Sequence, residues 1–254
     1  MMLSDEFLRK TAKFISSTRS RDFFLRMYQK PEEIYIKRIR NINFVDKSCV
    51  LDAGCGFGQW SIALASLNKL VYAIETDMTR LEVARKVANQ IGVKNIKFMR
   101  VDIENIPMQG ASVDAIFCYS TIYYTDLKKT LNEFYRVLKP NGKLYFNTNG
   151  LGWYIYNIIE RPYSAIDFDP QQIASEAVKI FLDDFEGKCA GSERQPVITS
   201  RHIIRKILSE TGFDEVIVEG EGKIVAIADR DLSLSFFEEN YYGQEGVFEV
   251  LCKK

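Results

Sequence analysis

Histidine and cysteine are scarce in this chain: one histidine, His202, and five cysteines, Cys49, Cys55, Cys118, Cys189 and Cys252, in 254 residues. The cysteines are scattered, with no Cys-x-x-Cys pair and no Cys/His cluster, so the sequence spells neither a metal site nor a disulfide framework. No metal is expected. Three of the cysteines lie in or beside predicted strands and read as small buried hydrophobes, which fits a reducing compartment. Net charge is absent as well. The 34 basic and 34 acidic side chains cancel, so no global field draws the chain to nucleic acid or to an anionic membrane. No uncharged stretch reaches transmembrane length, and Asp5, Glu6, Arg9, Lys10 and Lys13 interrupt any signal-peptide core. Neither repeats nor low-complexity tracts occur. The expectation is a cytoplasmic protein with no membrane segment, long enough for one α/β domain with an addition.

What is present begins with Val50-Leu51-Asp52-Ala53-Gly54-Cys55-Gly56-Phe57-Gly58. A short apolar run ends in an acid and breaks into three glycines at alternate positions. Such a loop lets backbone N–H groups approach a ligand closely before the chain turns into a helix, here Gln59–Ser66. Strand, glycine loop and helix in this order mark a nucleotide-type cofactor site.

A β/α alternation continues from there. Strands are predicted at Cys49–Asp52, Leu70–Ile74, Ile96–Val101, Val113–Cys118 and Lys143–Asn147, with helices at Thr79–Ile91 and Asp126–Leu138 and a turn at Pro140-Asn141-Gly142. Helix Arg201–Thr211 and strands Val216–Glu219 and Val247–Cys252 follow. The pattern predicts a doubly wound, Rossmann-like, mostly parallel seven-stranded sheet. Two segments stand outside it. Residues 1–45 read as an N-terminal helical extension, continuous from Ser4 to about Ile39 except where Pro31 starts a fresh helix in its first turn. Within the remaining domain, 46–254, residues 150–199 read as a cap-like insertion after strand five. Its Trp153, Tyr154, Tyr156 and Tyr163 suit either the wall of an acceptor pocket or the core of a small cap.

Ligands of open α/β sheets sit beyond the carboxyl ends of the strands. There the chain places the glycine loop, then Glu75, then Asp102, then Tyr119-Ser120-Thr121 with Tyr123-Tyr124 behind. From about Cys49 to Asn147 it resembles the class I S-adenosylmethionine-dependent methyltransferases. Asp52-Ala53-Gly54-Cys55-Gly56-Phe57-Gly58 looks like the first motif of that family. Glu75, ending Val71-Tyr72-Ala73-Ile74-Glu75, matches its ribose-binding acid. Asp102-Ile103-Glu104-Asn105-Ile106-Pro107 with Ser112-Val113-Asp114-Ala115-Ile116 is similar to the adenine-side segment and fourth strand, and Glu133 to Gly142 to the helix and turn before strand five.

The resemblance implies a cofactor, S-adenosyl-L-methionine, and roles for single residues. The backbone of Gly54, Cys55 and Gly56 would pass under its methionine part and ribose, with Gly58 closing the loop. Asp52 would orient the loop or reach the amino group through water. Glu75 would accept both ribose hydroxyls, with Thr76 beside it. Asp102 would accept from the adenine amino group, Ile103 would pack on the ring, and the Tyr119 backbone would sit near the amino end. The activity implied is methyl transfer to an O, N or C atom of a small-molecule acceptor.

Competing readings are weighed on single features. An RNA-directed enzyme is disfavoured by zero net charge and by Tyr119-Ser120-Thr121-Ile122 standing where nucleic-acid amino methylation uses an Asn/Asp-Pro-Pro-Tyr-like motif. Basic residues in the N-terminal helices (Arg19, Arg21, Arg26, Lys30, Lys37, Arg38, Arg40) suit RNA or an anionic acceptor, but charged faces of surface helices account for them more simply. A nicotinamide oxidoreductase would need its third glycine one residue later and would leave Asp102 without a task. A non-catalytic cofactor-binding partner subunit stays open, as does the oligomeric state. His202 invites a general-base role, with Tyr123, Tyr124, Asp126 and Glu160 as rivals; no catalytic residue is assigned.

Overall fold

The computed structural model describes residues 3–185, 197–228 and 230–254. Three helices lead: α1 (Asp5–Ala12), α2 (Thr18–Tyr28) and α3 (Glu32–Asn41). The single run expected from Ser4 breaks at Lys13–Ser17 instead, because Ser17 caps α2 by accepting from the Ser20 amide at 3.2 Å. Pro31 is the residue before α3 and has extended geometry, so it lies outside the first turn that it was expected to occupy.

The alternating elements are β1 (Val50–Ala53), α4 (Gln59–Leu67), β2 (Val71–Glu75), α5 (Met78–Ile91), β3 (Ile96–Arg100), β4 (Val113–Cys118), α6 (Leu127–Val137) and β5 (Leu138–Asn149). After β5 come α7 (Leu151–Glu160) and α8 (Pro170–Phe185), then α9 (Arg201–Thr211), β6 (Asp214–Gly220), the two-residue strands β7 (Asn240–Tyr241) and β8 (Gln244–Glu245), and β9 (Val247–Lys253). Seven strands form one sheet in the order β3-β2-β1-β4-β5-β9-β6, with β9 antiparallel to both neighbours and the other pairs parallel. The order reverses between β1 and β4, so the crevice for a ligand opens beyond their carboxyl ends.

The pleat of the strands sends neighbouring side chains to opposite faces. Leu51, Ile116 and Leu144 join the core under α6 and α9, whereas Val50, Ala115, Phe117 and Tyr145 join the core under α3 and α4. Helix α6 shows the local logic. Asp126 caps it by accepting from the Lys129 amide at 3.0 Å, and Leu127, Leu131 and Phe134 fall on the face turned to the sheet. The turn expected at Pro140-Asn141-Gly142 is a bulge within β5. Val113 pairs with Leu138 and Ala115 with Lys143, so two steps along β4 face five along β5.

Helices α1 and α2 do not hang free. Leu8, Ala12, Ile15 and Phe24 form one core with Phe57 of the glycine loop, Ile62 of α4 and Val83 and Val87 of α5. Arg38 of α3, expected on a charged surface face, is buried to 1% exposure. Its guanidinium pairs with Glu221 and stands 3.5 Å from Glu249 and 3.3 Å from the Tyr145 hydroxyl. Of the insertion's aromatics, Tyr154 packs with Ala174, Ala177 and Ile198 in a small separate core, with Trp153 against it. The four described cysteines are free and Cys189 lies outside the described residues, as do the side chains of 184–196. Among the described residues no helix is long and apolar enough to cross a membrane, and no group of His, Cys, Asp and Glu could hold a metal ion.

Candidate cofactor site

The loop after β1 is folded by its own backbone. The Gly54 and Cys55 amides both donate to the Ile74 carbonyl at 2.9 Å, and the Gly58 amide donates to the Cys55 carbonyl at 2.9 Å. Gly54 is fixed by more than its φ of +77°. A Cβ there would stand 2.3 Å from Thr121 Cγ2 on the β4 side, so only glycine lets the two strand ends meet this closely. Thr121 completes the contact by donating from Oγ1 to the Gly54 carbonyl at 3.2 Å. At Gly56, by contrast, nothing lies within 4 Å of the added Cβ position. That side of the loop is open, as a cradle for a ligand must be.

Glu75, at the end of β2, is aimed at this opening. Its Oε2 accepts from the Gly56 amide at 3.0 Å, while Oε1 accepts from the Thr76 and Asp77 amides at 2.8 and 3.0 Å. Three backbone donors thus fix a nearly buried carboxylate in one orientation. Asp52 lies deeper, 1% exposed, and accepts from the Ser61 hydroxyl of α4. Burial pushes its carboxyl up to about 7; the Ser61 hydrogen bond opposes the shift and the neighbouring Glu75 charge adds to it. The Cys55 and Cys118 thiols are also raised by burial, so neither is an ionised nucleophile at neutral pH.

The remaining expected residues divide. Asp102, past β3, is half-buried and accepts from the Glu104 amide at 3.0 Å. Thr76 is exposed beside Glu75. Ile103 is 4% exposed and belongs to the core beneath α6, leaving little of it to cover a ring. Tyr119 turns its side chain away from the loop. Its hydroxyl donates to Glu221 at 2.6 Å and its ring lies 4.8 Å from Trp60, so only its backbone faces the crevice, where the carbonyl accepts from Thr121 Oγ1 at 3.2 Å. Trp60 is packing, with Tyr35, Phe117, Tyr119 and Phe236 around it.

Two residues at the site, Tyr28 and Asn147, were not singled out from the sequence, and a third, Thr121, was placed at the end of β4 without a role. Tyr28 of α2 donates to the Phe57 carbonyl at 2.7 Å and lies near Asp52 and Cys55; burial raises its phenol well above the usual range. Thr121 is the wall of the glycine loop. Asn147 of β5 is buried and accepts from the Ser120 amide at 2.6 Å, holding the bend after β4. A polar run, Asn147-Thr148-Asn149, at the end of an otherwise apolar strand was the readable signal for the last of these.

The candidates for a general base do not converge. His202 is exposed on the first turn of α9. Asp126 caps α6, and Glu160 takes the Tyr242 hydroxyl. Tyr123 and Tyr124 stand with ring centroids 4.5 Å apart just beyond β4.

Comparison with known proteins agrees with this geometry. Residues 51–146 match the methyltransferase domain family. The malonyl-[acyl-carrier protein] O-methyltransferase of Yersinia pestis is 38% identical over 102 residues, which are 39% of this chain and 36% of that protein. The ubiquinone biosynthesis O-methyltransferase of Coxiella burnetii is 31% identical over 117 residues, 45% of this chain and 50% of that protein. The chain thus spans no more than half the length of either relative. Among solved structures, phosphoethanolamine N-methyltransferase 2 of Haemonchus contortus in complex with S-adenosyl-L-methionine superposes with a TM-score of 0.62 at 15% identity, over 96% of this chain and 60% of that one. The strand order, the glycine loop with its facing acid and the matched domain lead to one assignment: residues 51–146 match a methyltransferase domain, carried on a fold shared with S-adenosylmethionine-dependent methyltransferases.

Proposed function

We propose that this chain transfers a methyl group from S-adenosylmethionine to a small-molecule acceptor. The observation that carries the reading is the Glu75 carboxylate, fixed by three backbone amides beside the open face of Gly56. A carboxylate so held presents its outer lone pairs to a vicinal diol such as a ribose. Asp52, and the Tyr28 hydroxyl on the Phe57 carbonyl, are suited to the amino-acid part, and Asp102 to the adenine amino group.

When bound, the cofactor supplies a methyl group already activated on a sulfonium. The chain's own residues have two tasks left, alignment of the acceptor and exclusion of water. The insertion serves the second. Asp167 accepts from the Thr18 and Arg19 amides at 2.8 and 3.2 Å, tying the segment between α7 and α8 to the start of α2 beside the glycine loop. A face narrowed in this way favours a small acceptor over a nucleic-acid strand. The names of the relatives span O- and N-methyl transfer, and the reading is kept to the size of the acceptor.

Calorimetric titration with S-adenosylhomocysteine, with NADH in parallel, tests the reading. Micromolar binding of the first alone is expected, and Glu75→Ala should weaken it by about 1–3 kcal/mol, the range for charge-assisted hydrogen bonds. Binding of NADH alone, or of neither, would overturn it. Transfer of labelled methyl only when a second protein is added would turn it into a partner-dependent activity.

A further inference from the structure

Three successive residues draw together the elements at the carboxyl ends of β4 and β5. The Val197 amide donates to the Tyr123 carbonyl at 2.7 Å, just beyond β4. Ile198 packs in one small core with Tyr154 of α7 and with Ala174 and Ala177 of α8. The Thr199 amide donates at 3.2 Å to the carbonyl of Asn149, the last residue of β5. Residues 197–199 therefore form a seam between β4, α7 and β5. The seam is tied to the cofactor loop by printed steps of the backbone. Asn147, two residues before Asn149 on the same face of β5, holds the Ser120 amide at 2.6 Å. Thr121, next along, donates to the Gly54 carbonyl at 3.2 Å.

Two hydroxyls belonging to this seam are buried and unpaired. Tyr154 and Thr199 are each 4% exposed, and among the described residues neither Oη nor Oγ1 finds a hydrogen-bond partner. The Asn149 amide lies near the Tyr154 phenol but outside hydrogen-bonding geometry. Elsewhere the chain satisfies such groups: Thr130 donates to the Thr125 hydroxyl at 2.8 Å, and Thr125 to the Ile122 carbonyl at 2.7 Å. Thr11 and Ser112 also carry unpaired hydroxyls, but in α1 and at the amino end of β4. Only the Tyr154 and Thr199 pair, among these hydroxyls, stands where an open α/β sheet takes its ligand. A buried hydroxyl without a partner is costly, so a partner from outside the chain is called for.

That partner is uncharged. Arg201, the next charged side chain along the seam, is already held by Glu239 at 2.7 Å and Glu245 at 3.7 Å. A bound ion would have to shed its water with no counter-charge, whereas a neutral oxygen asks only for a hydrogen bond. Burial also raises the Tyr154 phenol above its usual range, so it keeps its proton and can donate. We propose that the Tyr154 and Thr199 hydroxyls bind a neutral oxygen of the methyl acceptor, a hydroxyl or a carbonyl, at the end of β5. The inference rests on the methyl-transfer reading above for calling that ligand the acceptor. The Tyr123 and Tyr124 rings, 4.5 Å apart and joined to the seam through Val197, suit a planar body behind that oxygen.

The test titrates phenol, toluene and benzoate by calorimetry into chain saturated with S-adenosylhomocysteine. The parent is compared with Tyr154→Phe and, separately, Thr199→Val, each checked by circular dichroism for a native fold. Toluene replaces the hydroxyl of phenol by a methyl group, and benzoate replaces it by a charge. The parent should prefer phenol to toluene by about tenfold, with benzoate binding no better than toluene. Tyr154→Phe should bring the phenol-to-toluene ratio to within about twofold of one, and Thr199→Val should lower it about threefold. Hydroxyls that serve the fold alone, or hold only a water, would move the thermal midpoint and leave that ratio untouched. Failure of phenol to bind, a ratio near one in the parent, a ratio that neither variant lowers, or tighter binding of benzoate than of phenol overturns the proposal. If the parent does not bind S-adenosylhomocysteine, the methyl-transfer reading fails instead, and the same ratios on the free chain decide the hydroxyl site by themselves.

Discussion

The two sides of the crevice are built differently. On the cofactor side the carboxylates are fixed mostly by the backbone next to them: Glu75 by Thr76 and Asp77, with Gly56 19 residues back, and Asp102 by Glu104. On the acceptor side the ties join distant segments: Asp167 to Thr18, Tyr123 to Val197, Asn149 to Thr199, and behind them Arg38 to Glu221. A site held by local backbone tolerates change elsewhere in the chain, whereas a site held by long-range pairs depends on the whole fold. The cofactor half is therefore expected to lose affinity when its residues change, and the supporting network behind the acceptor half to lose stability.

Arg38→Met should give the largest effect. It would leave the buried carboxylates of Glu221 and Glu249 without their cation, a loss of about 3–5 kcal/mol for a broken buried pair. Urea denaturation measures it, and adding Glu249→Gln should restore part of the stability. A loss below about 1 kcal/mol would mean that the network does not hold the two halves together.

Gly54→Ala comes next and separates two terms. The left-handed φ of +77° and the collision with Thr121 should together cost about 2–4 kcal/mol. Thr121→Gly in the same chain removes the collision and leaves the conformational part, so partial rescue is the expected outcome. Full rescue would show that the backbone strain is negligible, and no rescue that Thr121 is not the obstacle.

These two cases also mark what the sequence could reveal. Gly54 was readable because strand, glycine and acid follow one another within a few residues, and Glu75 and Asp102 because they end strands whose apolar runs are evident. The role of Thr121 was not, since it depends on β4 lying beside β1 across 67 residues of chain. Arg38 looked like one of seven basic residues on helical faces, and nothing local announces that two glutamates, one of them 183 positions away, will enclose it. The bulge at Pro140-Asn141-Gly142 has turn chemistry and strand pairing at once; propensity sees the first, and only the sheet supplies the second.

Asp52 gives the cofactor half a dependence on pH. Its folded-state carboxyl titrates near 7, above its ordinary value of 3.8, so the folded chain holds the proton more tightly than the unfolded chain. That contribution is complete below about pH 4 and is lost as pH rises through about 7. Against Asp52→Asn, which cannot titrate, the parent should lose on the order of 2–4 kcal/mol across that window. Equal slopes for the two chains in denaturation from pH 4 to 8 would show that Asp52 is ionised throughout.

The smallest effect is expected at His202, and it is the sharpest check on the contrast. A lone histidine is the residue that sequence reading most readily makes a base, because its ordinary pKa lies near neutrality. In the fold it is exposed on α9, after the Ser200 cap, and proton transfer requires reach before it requires a suitable pKa. His202→Ala should change stability by less than about 0.5 kcal/mol, the usual range for a surface substitution, and leave methyl transfer within about twofold. A tenfold fall in kcat at constant KM would put an acceptor-side residue back within reach of sequence reasoning. The division between a locally written cofactor half and a globally written acceptor half would then have to be redrawn around α9.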